Sequence, residues 1–170
     1  MITRPDHSEA PEYYFTYIDQ ALGDDVRVVL EAEEQKTIAA LRALGEARSL
    51  HRYAPGKWSI REVVSHINDC ERLFTYRAFW FARGLEGALP SFDQDAAVVG
   101  AKADDRTFAA HITEFAALRA STRSLFANLP DEAWSREGIA SGNRFTVRAL
   151  AWITSGHAIH HMRLLQERYQ

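Results

Sequence analysis

Only one of the chain's 170 residues is cysteine, five are proline and nine are glycine. A lone Cys70 rules out an internal disulfide framework, and so little Pro and Gly rules out a collagen-like or low-complexity chain. Nowhere does an uninterrupted apolar run approach the ~18 residues of a membrane span. The start, Met1 to Tyr14, carries Asp6, Glu9 and Glu12 and lacks a basic flank leading into an apolar stretch, so it does not read as a signal peptide. A cytoplasmic protein is the default expectation. An excess of positive charge is missing too: 20 Lys and Arg stand against 23 Asp and Glu, for a formal charge of −3. Nucleic acid is therefore not an expected partner.

What is present is ordinary globular material, 46% hydrophobic and 25% charged, in a length that suits one domain over residues 1–170. Four long segments carry a 3.6-residue apolar period and none sustains a two-residue alternation, which predicts an all-α fold. The first helix should run from about Asp25 to Leu44, with Val26, Val29, Leu30, Ile38, Leu41 and Leu44 on one stripe and Gly45 as its stop. The second opens on Ser59-Ile60-Arg61-Glu62, the pattern of a capping box, and continues through Val63, Val64, Ile67, Cys70, Leu73, Phe74 and Phe81 to Gly84. Gly84 to Ala103 reads as a long connection.

The third helix should cover about Asp105 to Asn128, with Phe108, Ile112, Phe115, Leu118 and Leu125 inward. The fourth should start near Thr146 and carry Val147, Leu150, Ile153, Leu164 and Leu165. Four such helices with no strand between them pack most simply as a four-helix bundle. The connections after the second helix and around Trp134 to Arg144 leave room for an up-down-down-up topology. Phe79, Trp80, Phe81, Trp134 and Trp152 are expected in the core, with part of the cluster near Trp80 free for a pocket mouth or a homodimer contact. Cys70 falls in the apolar pattern and reads as a small core residue rather than a nucleophile.

Among the seven histidines, His157 and His161 lie one turn apart in the stripe Leu150, Ile153, His157, His161, Leu164. Both face the core, while His160 points elsewhere. His66 holds the same relation to Val63, Cys70 and Leu73 on the second helix. Three inward imidazoles can meet inside a bundle, where such folds place metal sites, and three protein ligands leave positions open as in catalytic centres. The competing reading is a set of hydrogen-bonded core histidines. Asp69, one turn beyond His66, is expected either to orient an imidazole or supply a fourth ligand, or else to be a solvated carboxylate. His7, His51 and His111 lack such company and are expected at the surface or in linkers.

Several motifs in order, Tyr13-Tyr14-Phe15-Thr16-Tyr17-Ile18, Lys57-Trp58-Ser59-Ile60-Arg61-Glu62-Val63-Val64-Ser65-His66, Leu89-Pro90-Ser91-Phe92-Asp93-Gln94 and Gly156-His157 to His161, resemble the DinB-like proteins, particularly the branch related to bacillithiol transferases. The resemblance spans nearly the whole chain. It implies an up-down-down-up bundle whose divalent metal, Ni, Zn, Fe or Mn, is held by His66, His157 and His161. For the transferase branch it further implies a metal that holds the sulfur of a low-molecular-weight thiol of the bacillithiol, mycothiol or glutathione type and presents it to an electrophile, for detoxification or stress response. The other readings are metal-dependent hydrolysis of a small amide or ester, and a non-catalytic stress-associated bundle that holds a metal or ligand. A small-molecule substrate and a homodimer complete the expectation.

Overall fold

The computed structural model describes residues 1–170. Its helices are α1 (Phe15–Ile18), α2 (Val26–Arg48), α3 (Ile60–Ala82), α4 (Gln94–Ala101), α5 (Phe108–Ala127) and α6 (Val147–Arg168), with strands β1 (Glu137–Ala140) and β2 (Asn143–Thr146). The four long helices match those expected, and local chemistry explains their ends. Asp25 caps α2 by accepting from the Arg27 amide at 3.1 Å. Gly45 breaks that helix at φ 73°, where a side chain would be strained. Ser59 and Glu62 form a reciprocal capping box, each side chain accepting from the other's amide, at 3.0 and 2.8 Å. Thr107 and Thr146 cap α5 and α6. No helix is long and apolar enough to cross a membrane.

The connections hold more structure than their composition suggests. Gly84 to Ala103, expected as a loop, contains α4, capped by Asp93 and buried mainly through Val98. Asp105 is not in α5: Ala103–Asp105 forms a 3-10 turn, Arg106 is extended, and Thr107 restarts the helix. Before α6 comes an antiparallel hairpin pairing Glu137 with Thr146 and Ala140 with Asn143, where no strand was expected. Its strands are too short to show alternation. The two-residue loop supplies the signal instead, since Ser141 (φ 52°) and Gly142 (φ 73°) both take the left-handed conformation that matches strand twist.

Cross-helix pairs give the directions of the rods. Asn68 bonds to the His111 carbonyl and Glu71 to Arg119, so α3 and α5 run parallel. Arg119 meets the Leu30 carbonyl while Glu46 accepts from Phe108 N, so α2 and α5 are antiparallel. Trp58, just before α3, accepts from the Tyr169 hydroxyl just after α6, so those two are antiparallel as well.

The core is not continuous. One apolar cluster holds Val26, Val29 and Leu30 of α2, Cys70 to Ala82 of α3, Phe126 at the end of α5 and Val147 to Ile153 of α6. A second holds Leu41, Ile60 to Ile67, Phe108 to Phe115, and Ala158 to Leu165. Where one gives way to the other, every long helix buries polar side chains: Glu33 and Thr37 on α2, His66, Asn68 and Glu71 on α3, Arg119 and Thr122 on α5, Thr154, Ser155 and His157 on α6. On the α2–α5 side this layer is closed by ion pairs, with Glu71 accepting from Nε and Nη2 of Arg119 at 2.9 Å each, from Thr122 at 2.7 Å, and Glu33 also against Arg119. On the α3–α6 side it holds histidines.

Candidate metal centre

His66 and His157 are buried and His161 is partly so. The Nε2 atom of His157 lies 3.2 Å from that of His66 and 3.1 Å from that of His161, and ligand atoms of all three fall within 4.8 Å of one another. The three rings expected to face inward thus converge on one spot. Each Nε2 faces another nitrogen rather than a carbonyl or carboxylate. Two ligands at tetrahedral angles, each about 2.0–2.1 Å from zinc, would stand about 3.3 Å apart, so the two spacings about His157 fit one small ion.

Burial keeps these imidazoles uncharged. It pulls His66 down to about 4 and His161 to about 3, each from an ordinary 6.5, and takes His157 well below the usual range with help from His161, His66 and His160. A neutral imidazole with its lone pair free is the form that binds a cation. Nδ1 of His161, buried and without a hydrogen-bond partner, adds to the polar deficit of the cluster. The donor set thus suits a divalent first-row metal.

Aromatic rings seal the site. Trp58 lies 4.9 Å from His66, Tyr17 5.2 Å and Phe74 5.6 Å from His157, centroid to centroid. Tyr17 reaches α6 because residue 156 is glycine: a Cβ there would stand 2.1 Å from the Tyr17 carbonyl oxygen. Two cavities flank the triad. One is walled by His157, Cys70, Tyr14, Phe74, Arg77 and Gln94, the other by His161, Trp58, Lys57, Asp95 and Tyr169.

Other expected residues divide. Cys70 is buried against His66, and burial pushes its thiol up to about 12, which leaves it inert as a nucleophile. Asp69 does not serve the triad: its hydrogen bond is with Arg72, at 3.4 Å, on the flank facing α5. The reason is angular, since a residue three positions after His66 sits on the edge of the stripe rather than on it. The carboxylate whose charge favours a protonated His66 is Asp95 of α4, within the connection expected as a loop. His160 turns aside to Gln20, at 3.1 Å. His7 and His51 are exposed, but His111 is fully buried, its Nε2 against the Ala103 carbonyl oxygen at 2.9 Å. It lies between Phe108 and Phe115 at helical steps of three and four, which was the overlooked sign. Trp134, Trp152 and Phe81 are core, whereas Phe79 is exposed.

No curated protein matches the chain. A solved structure of YfiT from Bacillus subtilis, described as a probable metal-dependent hydrolase with an unusual four-helix bundle topology, matches with a TM-score of 0.70 at 18% identity, over 96% of this chain and 89% of that one. That likeness is one of fold. The DinB superfamily model matches residues 30–165, which take in α3, α5 and all three converging histidines, and the chain belongs to the DinB superfamily.

Proposed function

We propose that the chain is a metal-dependent enzyme that transfers a low-molecular-weight thiol to an electrophile, with His66, His157 and His161 holding a divalent cation. One observation carries this reading: three neutral imidazoles converge with no carboxylate hydrogen-bonded to any of them. A bound cation supplies a Lewis acid that lowers the pKa of a thiol or water placed on it. A thiol ionised in this way is already a strong nucleophile and needs no further base. The protein's own tasks are then to fix the three nitrogens, to exclude water with Trp58, Tyr17 and Phe74, and to hold the two reactants in line.

The test uses protein loaded in turn with Zn, Ni, Fe or Mn and mixed with monochlorobimane and bacillithiol, mycothiol or glutathione. Metal-dependent consumption of one thiol, abolished in His157→Ala, is expected. Unchanged thiol in every combination would refute the transferase reading.

Hydrolysis of a small amide or ester is the second reading, supported by Asp95 in the wall of the His161 cavity, where a general base would be useful, and by the description of YfiT. Turnover of an ester panel without thiol, lost in Asp95→Asn, would favour it over the first.

A further inference from the structure

Arg61, Arg77 and Arg119 are the buried arginines. Arg61 pairs with Glu46, and Arg119 with Glu71. Arg77, only 2% exposed, pairs with no carboxylate. Nη2 donates two hydrogen bonds, to the Pro90 carbonyl at 3.1 Å and the Ser141 hydroxyl at 2.8 Å, the guanidinium shares a third with the Tyr14 hydroxyl, and all three partners are neutral. Nε is buried and has no acceptor. The titratable groups that influence it are Tyr14 and Cys70, and burial raises both, so neither offers a countercharge at neutral pH.

A buried guanidinium without an anion is costly, and folds that keep one commonly use it to bind one. Its surroundings look built for that purpose. Two separate connections, the Pro90 loop and the hairpin tip, grip a single nitrogen, and the tip residue Ser141 is a non-glycine held in the left-handed region. Nε, on the same edge as Nη2, has no acceptor of its own, and neither Nε nor Nη1 meets a carboxylate. Arg77 shares its cavity of about 110 Å3 with His157 of the triad. At about 10–15 Å3 per water on this measure, the space admits an acid group with a short carbon tail and little more.

We propose that Arg77 docks the carboxylate of a small acidic substrate or cosubstrate, which sets that molecule's reacting atom toward the histidine triad. The role as a substrate anchor rests on the catalytic reading above, while the anion site itself can be tested without any metal.

The experiment follows the Arg77 Nε–Hε resonance by NMR in chelator-treated protein titrated with propionate, with its neutral isostere propionamide and with inorganic phosphate. Propionate should move the resonance saturably and propionamide should not. A shift in the His157 ring signals on the same propionate titration gives a second readout. Arg77→Gln should weaken it at least about tenfold, the loss of a charge-assisted pair, and Arg77→Lys should recover part of it. Equal response to propionamide, no response to propionate, or response to phosphate alone would overturn the proposal. If Arg77→Gln fails to fold, Arg77→Lys and the wild-type comparison of acid with amide still decide. Failure of the thiol and ester assays would leave this titration untouched, so the two readings fall separately.

Discussion

Acidifying the metal-free protein from about pH 7.5 to about pH 5 should remove a large part of its stability, because the unfolded chain then takes up protons that the folded triad refuses. The sign follows from burial. His66 titrates at about 4 in the fold against 6.5 ordinarily, so the fold suffers no proton penalty above 6.5 and weakens as pH falls from there toward the folded value. At about pH 5 the unfolded imidazole is almost fully protonated and the buried one only about a tenth so, a difference of about 2 kcal/mol. His161, at about 3, should add a similar amount, and His157, held well below the ordinary range, acts in the same direction. Independent action of His66 and His161 would bring the total to about 4 kcal/mol, a large part of the whole stability of many domains. Urea denaturation with a chelator present, at several pH values, measures this directly. Comparing wild type with His66→Asn cancels every other titrating group, and the variant's loss between the two pH values should be smaller by about 2 kcal/mol. An equal loss in both proteins would refute the idea that His66 is held neutral by burial.

Three further perturbations test the scaffold. Gly156→Ala should push α1 off α6 and cost about 1–3 kcal/mol by overpacking, with faster proteolysis around Tyr17; an unchanged melting curve would contradict the close approach. Glu71→Ala should cost about 3–5 kcal/mol in chemical denaturation, since it strips two of the bonds that hold the buried Arg119, and a cost under about 1 kcal/mol would mean that Glu33 alone suffices. Ser59→Ala should lose about 1 kcal/mol by removing half of the α3 capping box, whereas no change would show that Glu62 caps that helix unaided.

The long helices were legible because each announces itself twice, by an apolar stripe and by a cap such as Ser59 or Thr146. The triad was legible because His66, His157 and His161 occupy stripe positions, where a polar residue stands out. The same logic applied to Arg77, in step with Cys70, Phe74 and Phe81, and to Arg119, in step with Ile112, Phe115 and Phe126, would have flagged both as buried cations. What no stripe can reveal is pairing: that Arg119 meets Glu71 and Arg77 meets no acid depends on which helices become neighbours. Short elements were harder for a different reason. α4 buries one strong apolar residue, Val98, and strands of four residues offer too few positions for a period to register, so Asp95 and Ser141 went unremarked.

The polar belt between the two apolar clusters has a mechanical meaning. Without a cation, α3 and α6 meet at that level through rings that offer each other little, while α2, α3 and α5 remain bolted by Arg119. The weak side of the seam is therefore the side that carries the proposed chemistry. Loading it with metal would rivet the last two rods together at mid-height and slow hydrogen exchange on both of them, turning a bundle that can flex at its waist into one that cannot.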